Sequence, residues 1–314
     1  MRDQSGAIMQ RYRSFSRYLK ETFGERVQRI VLDGGFTCPN RDGSKAWGGC
    51  TYCDAHGSGP GPEARALPIR EQVARSIARA SKAHRPAQKF LAYFQAYTNT
   101  YAPLERLRSL YAEALEHPDV VGLCISTRPD CVPEPVLDLL EEFAGRTHLW
   151  LEMGLQSASD ETLRRIRRAH TVDEFTDAVL RAHRRGLRVS SHVIFGLPGE
   201  TREMMMRTVD LLAALRLEGV KFHSLYLVPG TRMADEVREG EIPMLTQDEY
   251  ASLVADALER LPPETVIHRL TGDPPPGIPA DPPWTRDKET TLRKIVAELE
   301  RRGTMQGSRY EVTT

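Results

Sequence analysis

The sequence predicts an α/β protein: a partial (β/α)6 TIM-type barrel with parallel strands, carrying N-terminal and C-terminal helical extensions. Three observations lead there. Six short apolar runs alternate with longer stretches of helical periodicity, the signature of βαβ units and a parallel sheet. Right-handed crossovers curl six such units into either a doubly wound sheet or part of a barrel, and the barrel is the reading adopted. A glycine-rich loop with three cysteines follows the first run, at the carboxyl end of the sheet, where both architectures build their sites.

The elements follow in order. Residues 1–28 form a basic extension in which Arg2, Arg11, Arg13, Arg17, Lys20 and Arg26, with Arg29 at the edge, outweigh Asp3, Glu21 and Glu25. Strands are expected at 29–35 (RIVLDGG), 89–95 (KFLAYFQ), 120–126 (VVGLCIS), 148–154 (HLWLEMG), 188–196 (RVSSHVIFG) and 220–228 (VKFHSLYLV). Helices are expected near 69–83, 103–117, 134–144, 160–184 and 201–217. Val73 and Ile77 share one face of the first, and Pro103 suits a helix start because its missing N–H is not needed there. The core so defined spans 29–230, and 231–314 is a C-terminal extension. Within it, 231–268 reads as helical and returns to a short apolar run at Val266–His268. Residues 271–283 hold six prolines and two glycines and read as a stiff linker or overlying loop, and a last helix covers 287–302.

Composition narrows the class. The chain has 314 residues, 40% hydrophobic and 27% charged, enough to bury a full core and too apolar for wholesale disorder. The 43 basic and 43 acidic residues cancel, so nucleic-acid contact would have to come from local patches. No apolar run approaches the ~18 residues of a membrane helix, and the first fifteen residues lack a signal-peptide core, so the chain reads as cytoplasmic with no membrane partner. Five cysteines do not suggest a disulfide framework.

The richest segment is 32–62, LDGGFTCPNRDGSKAWGGCTYCDAHGSGPGP. Cys38, Cys50 and Cys53 give the spacing C-x11-C-x2-C among glycines that let the loop turn around one centre. Zinc fits a C-x2-C half-site, with His56 completing Cys3His. An iron–sulfur cluster normally takes four cysteines, and three would leave an open iron, as a catalytic metal requires. Buried, unligated cysteines are the third reading.

The loop resembles that of radical S-adenosylmethionine (radical SAM) enzymes, with Tyr52 in the aromatic position before the last cysteine. The long first spacing resembles the branch containing the Elongator catalytic subunit and the YhcC-like proteins. Further stretches agree: STRPD (126–130), LEMGLQS (151–157) with RRAHT (167–171), VIFGLPGET (193–201) and YLVPGT (226–231). Similarity to YhcC-like proteins continues through IHRLTGD (267–273) and AELERRG (297–303), so it covers nearly the whole chain.

The resemblance implies that Cys38, Cys50 and Cys53 are the catalytic metal ligands of a 4Fe-4S cluster. It implies that S-adenosyl-L-methionine binds the open iron and is cleaved, after one-electron reduction, to a 5′-deoxyadenosyl radical. The protein orients these groups and excludes water. Gln156 and Arg168 match cofactor-contacting positions, and a guanidinium suits the cofactor carboxylate. Ile194 and Gly196 lie in the motif that packs near adenine. Glu152 reads either as an inward cofactor ligand or proton handler, or as an outward, solvated residue. His192 replaces an acidic ribose contact of several relatives, and FQAYTNTYAP (94–103) replaces a glycine-glycine-glutamate motif. An electron donor of flavodoxin or ferredoxin type is implied, and the Elongator likeness implies tRNA, at the wobble uridine, as target. Acetyl-coenzyme A chemistry is not expected, because the resemblance does not extend to Elongator's acetyltransferase domain. Two alternatives stand beside this: the same radical chemistry on a small metabolite or peptide, and a non-enzymatic zinc-stabilised binding protein.

The remaining thiols and charges have plainer readings. Cys124, inside an apolar run, reads as a core residue, while Cys131 reads as either packing or a substrate-side thiol. Eight arginines in 161–190 (164, 165, 167, 168, 181, 184, 185 and 188), together with the basic N-terminus, form either a phosphate-contacting surface or a set of solvated helix faces.

Overall fold

The computed structural model describes residues 11–54, 57, 59–82, 86–238, 243–272, 274 and 279–311. Among them, helices alternate with strands: α1 (Phe15–Phe23), β1 (Val27–Leu32), α2 (Pro62–Arg65), α3 (Ile69–Ala80), β2 (Lys89–Phe94), α4 (Leu104–Ala114) and β3 (Val120–Thr127). Then come α5 (Glu134–Ala144), β4 (His148–Gln156), α6 (Asp160–Arg165), α7 (Val172–Arg184), β5 (Arg188–Phe195), α8 (Arg202–Ala214) and β6 (Gly219–Ser224). The chain closes with α9 (Arg232–Arg238), α10 (Gln247–Arg260), β7 (Val266–Arg269) and α11 (Lys288–Arg302).

The strands form one parallel sheet in the order β1-β2-β3-β4-β5-β6-β7, a half-barrel whose outer face is covered by helices. The sheet therefore has seven strands, not six. The seventh is the short apolar run after α10, and the sequence hides it because it is only four residues long, three of them in register with β6.

Alternation along the strands sorts the side chains. Ile30, Phe94, Ile125, Leu151, Val193 and Phe222 face outward into one core shared with Val73, Leu107, Leu137, Phe175 and Leu212 of the helices. The helix expected over 160–184 is two helices. Arg167 and Ala169 adopt left-handed φ of 54° and 55° between them, and Thr171 starts α7 with a capping box to Glu174. That T-x-x-E signature was present in the sequence and marks the break.

The amino end of the barrel is closed. Ser14 caps α1 and Gly24 ends it in the left-handed conformation. The helix then lays Phe15 and Leu19 against Val27, Leu91, Cys124, Trp150 and Val266. The Ile267 N–H donates to the Arg13 carbonyl, and Gln306 accepts from the Arg13 N–H, so both extensions are tied to the sheet and to each other. The N-terminal helix thus lies at the end opposite the cysteine loop. At the carboxyl end, Gly272 donates to Ser224 Oγ and Leu227 pairs with Asp281, so both flanks of the proline-rich segment are anchored beyond β6. Among the described residues no helix is long and apolar enough to cross a membrane.

Candidate active site

The cysteine loop sits over the carboxyl ends of β1, β4 and β5 and is fastened by backbone bonds. The Thr51 N–H donates to Ile166 O at 3.0 Å, the Met233 N–H to Thr51 O at 3.0 Å, and the Gly49 N–H to Asn40 O at 2.8 Å. The Asn40 side chain donates both to Cys50 Sγ (3.4 Å) and to the carbonyl of Arg167 (2.6 Å), joining the loop to the helix break. Arg41 donates to the carbonyls of Cys53 and Asp54.

The helix break explains the position of Arg168. Its Nη2 donates to Gly154 O at 2.9 Å, its Nε to His170, and its Nη1 lies 3.8 Å from Cys50 Sγ. Gly154 has no room for a side chain: a Cβ there would meet Gln156 Nε2 at 2.4 Å and Arg168 Nη2 at 2.6 Å. Gln156 follows a bulge in β4 and has φ of 74°, so its amide turns back over Gly154 toward Arg168. Three residues of separate motifs thus meet beside Cys50.

A residue given no role by the sequence holds this arrangement together. Arg128, at the end of β3 and 1% exposed, makes a fork to Asp130 at 2.9 and 3.0 Å. It also donates to the carbonyls of Arg168 (2.8 Å) and Ala169 (3.0 Å). The S-T-R-P-D stretch contained the signal, since Arg two residues before Asp after a strand is a ready fork.

Electrostatics at the loop are uneven. Burial pushes the Cys50 thiol up, but the Arg168 and Arg128 guanidiniums overcome this and hold it below its ordinary value. Burial and the neighbouring Cys50 push Cys53 up to about 11. Among the described residues, buried oxygens at this end without a partner include Asn40 Oδ1 and Thr51 Oγ1 in the loop, and Thr98 Oγ1 and Asn99 Oδ1 after β2. Asn99 donates to Ser126 O, and Thr98 N–H donates to Thr37 O beside Cys38. Three soft sulfur donors bordered by unused polar atoms and a guanidinium suit a metal–sulfur cluster bearing a polar ligand. His56 lies outside the described residues. Among the described residues no three His, Cys, Asp or Glu side chains converge on a single ion, whereas each cysteine of a cluster holds a different iron.

The other expected site residues divide. Ile194 packs with Tyr52 of the loop, Leu197 and Leu225. Gly196 turns at φ 89°, donates to Met205 Sδ, and a Cβ there would press on Leu245. Both therefore border the cysteine end. Glu152 takes the inward of its two expected directions, is fully buried and is surrounded by side chains of the other strands. It pairs with Lys221 and accepts from His192 (3.0 Å) and Ser126 (3.4 Å), with Arg29 and His268 each at 3.5 Å. His192, which stands where several relatives carry an acidic contact, thus has a carboxylate beneath it. Cys131 lines an outer cavity of about 610 Å³ with Pro39, Lys45, Thr100 and Tyr101, and burial pushes its thiol up to about 12. Cys124 lies in the apolar closure at the amino end, likewise pushed to about 12.

Burial pushes Glu152 up, yet Lys221 and the imidazoles hold it well below the carboxylate range. Burial draws Lys221 down to about 7 against Glu152, so the pair is ionic below neutrality and Lys221 is the first to lose its proton as pH rises. Burial also draws His192 down to about 4, and His170 and His268 to about 3. Each folded value lies below the unfolded ~6.5, so the unfolded chain binds more protons in acid. The stability these rings confer is complete above pH ~6.5 and is lost as pH falls toward 4, at up to ~1.4 kcal/mol per pH unit for each ring. Urea midpoints at pH 7.5, 6 and 5 should fall in that order; equal midpoints at 7.5 and 5 would contradict the neutral rings.

Of the two readings of the arginines in 161–190, the described residues favour separate helix faces over one surface shared with the N-terminal extension, of which residues 1–10 lie outside the described residues. Exposed Arg164, Arg165 and Arg167 lie at the cysteine end, whereas Arg184 and Arg188 lie near the amino end with α1. Arg181 and Arg185 are bound to Glu134, Asp138 and Asp177 on the helical flank.

Comparison with known proteins places these features in context. The radical SAM superfamily model matches residues 38–212, and the Radical_SAM C-terminal domain model matches 217–301. The uncharacterized protein YtqA of Bacillus subtilis is 44% identical over 96% of this chain and 93% of its own length. Protein YhcC of Escherichia coli is 36% identical over 92% of each. The tRNA uridine(34) acetyltransferase of Dehalococcoides mccartyi is 30% identical over 49% of this chain and 34% of its own length. Among solved structures, the archaeal Methanocaldococcus infernus Elp3 with an N-terminal deletion aligns with a TM-score of 0.63 at 17% identity, covering 89% of this chain and 64% of that one.

Proposed function

The chain belongs to the radical SAM superfamily, and on that premise we propose that it modifies a tRNA base, the wobble uridine. It is a radical SAM enzyme, and such enzymes use a 4Fe-4S cluster and S-adenosylmethionine. Family membership removes the reading as a non-enzymatic zinc protein. When bound, the cofactor pair supplies a carbon-centred radical that abstracts hydrogen from an unreactive carbon.

In our reading Cys38, Cys50 and Cys53 hold the cluster. Arg168 offers its guanidinium to the cofactor carboxylate, and Gln156 and Asn99 offer amide groups beside it. Ile194 and the turn at Gly196 supply an apolar wall. Reducing power comes from a flavodoxin- or ferredoxin-type donor; Trp47, 75% exposed on the cysteine loop, marks the loop's solvent side.

The observation that supports a tRNA target best is the partial likeness to a tRNA uridine(34) acetyltransferase, a name that belongs to that protein. The half-barrel adds to it: β1 and β7 do not pair among the described residues, and exposed Arg164, Arg165 and Arg167 stand at its open end. An open, basic mouth suits a base presented by a macromolecule better than an enclosed metabolite.

The test is anaerobic. Reconstituted protein is reduced with dithionite and given S-adenosylmethionine, and iron, sulfide and 5′-deoxyadenosine are quantified. About four irons per chain with slow uncoupled cleavage are expected. Unfractionated tRNA should speed cleavage about tenfold or more and shift the mass of nucleoside 34. Acceleration by a small-molecule or peptide fraction, and none by tRNA, would overturn the tRNA target and leave the radical chemistry standing.

A further inference from the structure

The inward faces of all seven strands meet in one polar layer beneath the cysteine loop. Glu152 is its centre, and Arg29, Tyr93, Ser126, His192, Lys221 and His268 surround it. A single carboxylate there faces a guanidinium and an ammonium, and Lys221 also donates to Tyr93 Oη at 3.0 Å. Buried charge is costly unless balanced, and unmatched buried donors add about 1–3 kcal/mol each. This layer is unbalanced in both respects. Among the described residues, Arg29 Nη1, Ser190 Oγ, His223 Nε2 and both ring nitrogens of His268 are buried without a hydrogen-bond partner, as is Glu152 Oε1, which Arg29 Nη1 and His268 Nδ1 approach only at 3.5 Å. The excess is of positive charge, one carboxylate facing a guanidinium and an ammonium.

The layer is also reachable. Arg29 and His192 of the layer, and Ile194 and His223 one step above it, face inward yet remain partly exposed, so solvent reaches the rim of the layer, whereas Glu152, Lys221 and His268 are buried. Below it, Phe15 and Trp150 close the barrel. Glu152 precedes Gly154 by two residues on β4, which sets the layer about 7 Å below the meeting point of Gln156 and Arg168.

We infer that this lumen binds a small oxyanion of the substrate, a carboxylate or a phosphate, through Arg29 and Lys221. The inference rests on the enzymatic reading only in treating the lumen as the substrate side. An oxyanion supplies the missing acceptors and balances the second cation, and it fixes the attached carbon between itself and the cofactor end. A purely structural network would need no ligand to complete it.

The test uses reconstituted protein with S-adenosylmethionine and no reductant. Binding of N-acetylglycinate, methyl phosphate and the neutral N-acetylglycinamide is followed by saturation-transfer NMR. At least one anion should bind, and the neutral probe should bind about tenfold more weakly or not at all. Whichever anion binds identifies the group as carboxylate or phosphate. Arg29→Met and Lys221→Met should each weaken anion binding about tenfold with iron content unchanged. Glu152→Gln should strengthen it several-fold, a direction that a merely structural carboxylate would not give. Should Lys221→Met fail to fold, Arg29→Met, on an edge strand, still carries the test. Equal binding of charged and neutral probes, or anion binding unmoved by Arg29→Met, overturns the inference. No RNA and no turnover enter the measurement, so failure of the tRNA reading leaves this result intact.

Discussion

Cys50→Ala is expected to abolish 5′-deoxyadenosine formation, a loss of roughly a thousandfold or more, and to strip iron from the protein. Cys50 is the buried member of the three cysteines. Its sulfur is approached by Asn40 Nδ2 and Arg168 Nη1, and no other cysteine in the loop has two such donors among the bonds described. The loop's own fold does not depend on that sulfur. It is held by main-chain bonds from Gly49 to Asn40, Thr51 to Ile166 and Cys53 to Cys50 O, all of which alanine preserves. The variant should therefore keep its thermal transition within about 1 kcal/mol of stability, the range of a small change at a loop position. Cys124→Ala is the control, because that thiol sits in the apolar closure at the opposite end and should leave iron and cleavage intact. Unaltered cleavage by Cys50→Ala would end the assignment of this loop as the cluster site.

The fold was largely legible because apolar alternation is a strong local signal. The strands from β2 to β5 begin where the sequence placed them, since each is a buried run bounded by turn residues. Two features were not legible, for different reasons. Strand β7 is four residues long, and its pairing depends on where β6 and the Glu218 carbonyl lie, which no window of sequence contains. The break between α6 and α7 was obscured by apolar spacing that continues through Ile166, even though Thr171 and Glu174 carried the start signal.

The site was legible by type but not by partnership. Three cysteines among glycines announce a centre in any reading. What surrounds them depends on contacts across about 120 residues of chain, such as Arg168 to Cys50. The direction of Glu152 was undecidable in a strand of unknown register, because one step along β4 exchanges lumen for helix layer. Once the register is known, the same alternation brings Arg29, Lys221 and the imidazoles around Glu152, a grouping contributed by five strands and visible in none.

Arg128→Met should be the most damaging single change outside the cysteines. The guanidinium uses four contacts at once: two oxygens of Asp130 and the carbonyls of Arg168 and Ala169. Methionine fills much of the volume but donates nothing. Asp130, whose side chain is 3% exposed, would keep only Lys45, and two carbonyls in a left-handed turn would lose their donors. Breaking one side of a buried pair costs about 3–5 kcal/mol, which for a chain of this size lowers the thermal midpoint by roughly 5–15 °C. A second effect separates positioning from bulk stability. With the Arg168 carbonyl released, its side chain loses its fixed approach to Cys50 and Gly154, so S-adenosylmethionine should bind about tenfold more weakly at a temperature where the variant is fully folded and iron-replete. Arg128→Lys keeps the charge but not the fork, and should recover part of the stability while leaving cofactor affinity impaired. A midpoint within 2 °C of the parent, or full cofactor affinity in both variants, would show that the turn carrying Arg168 holds its shape without this residue.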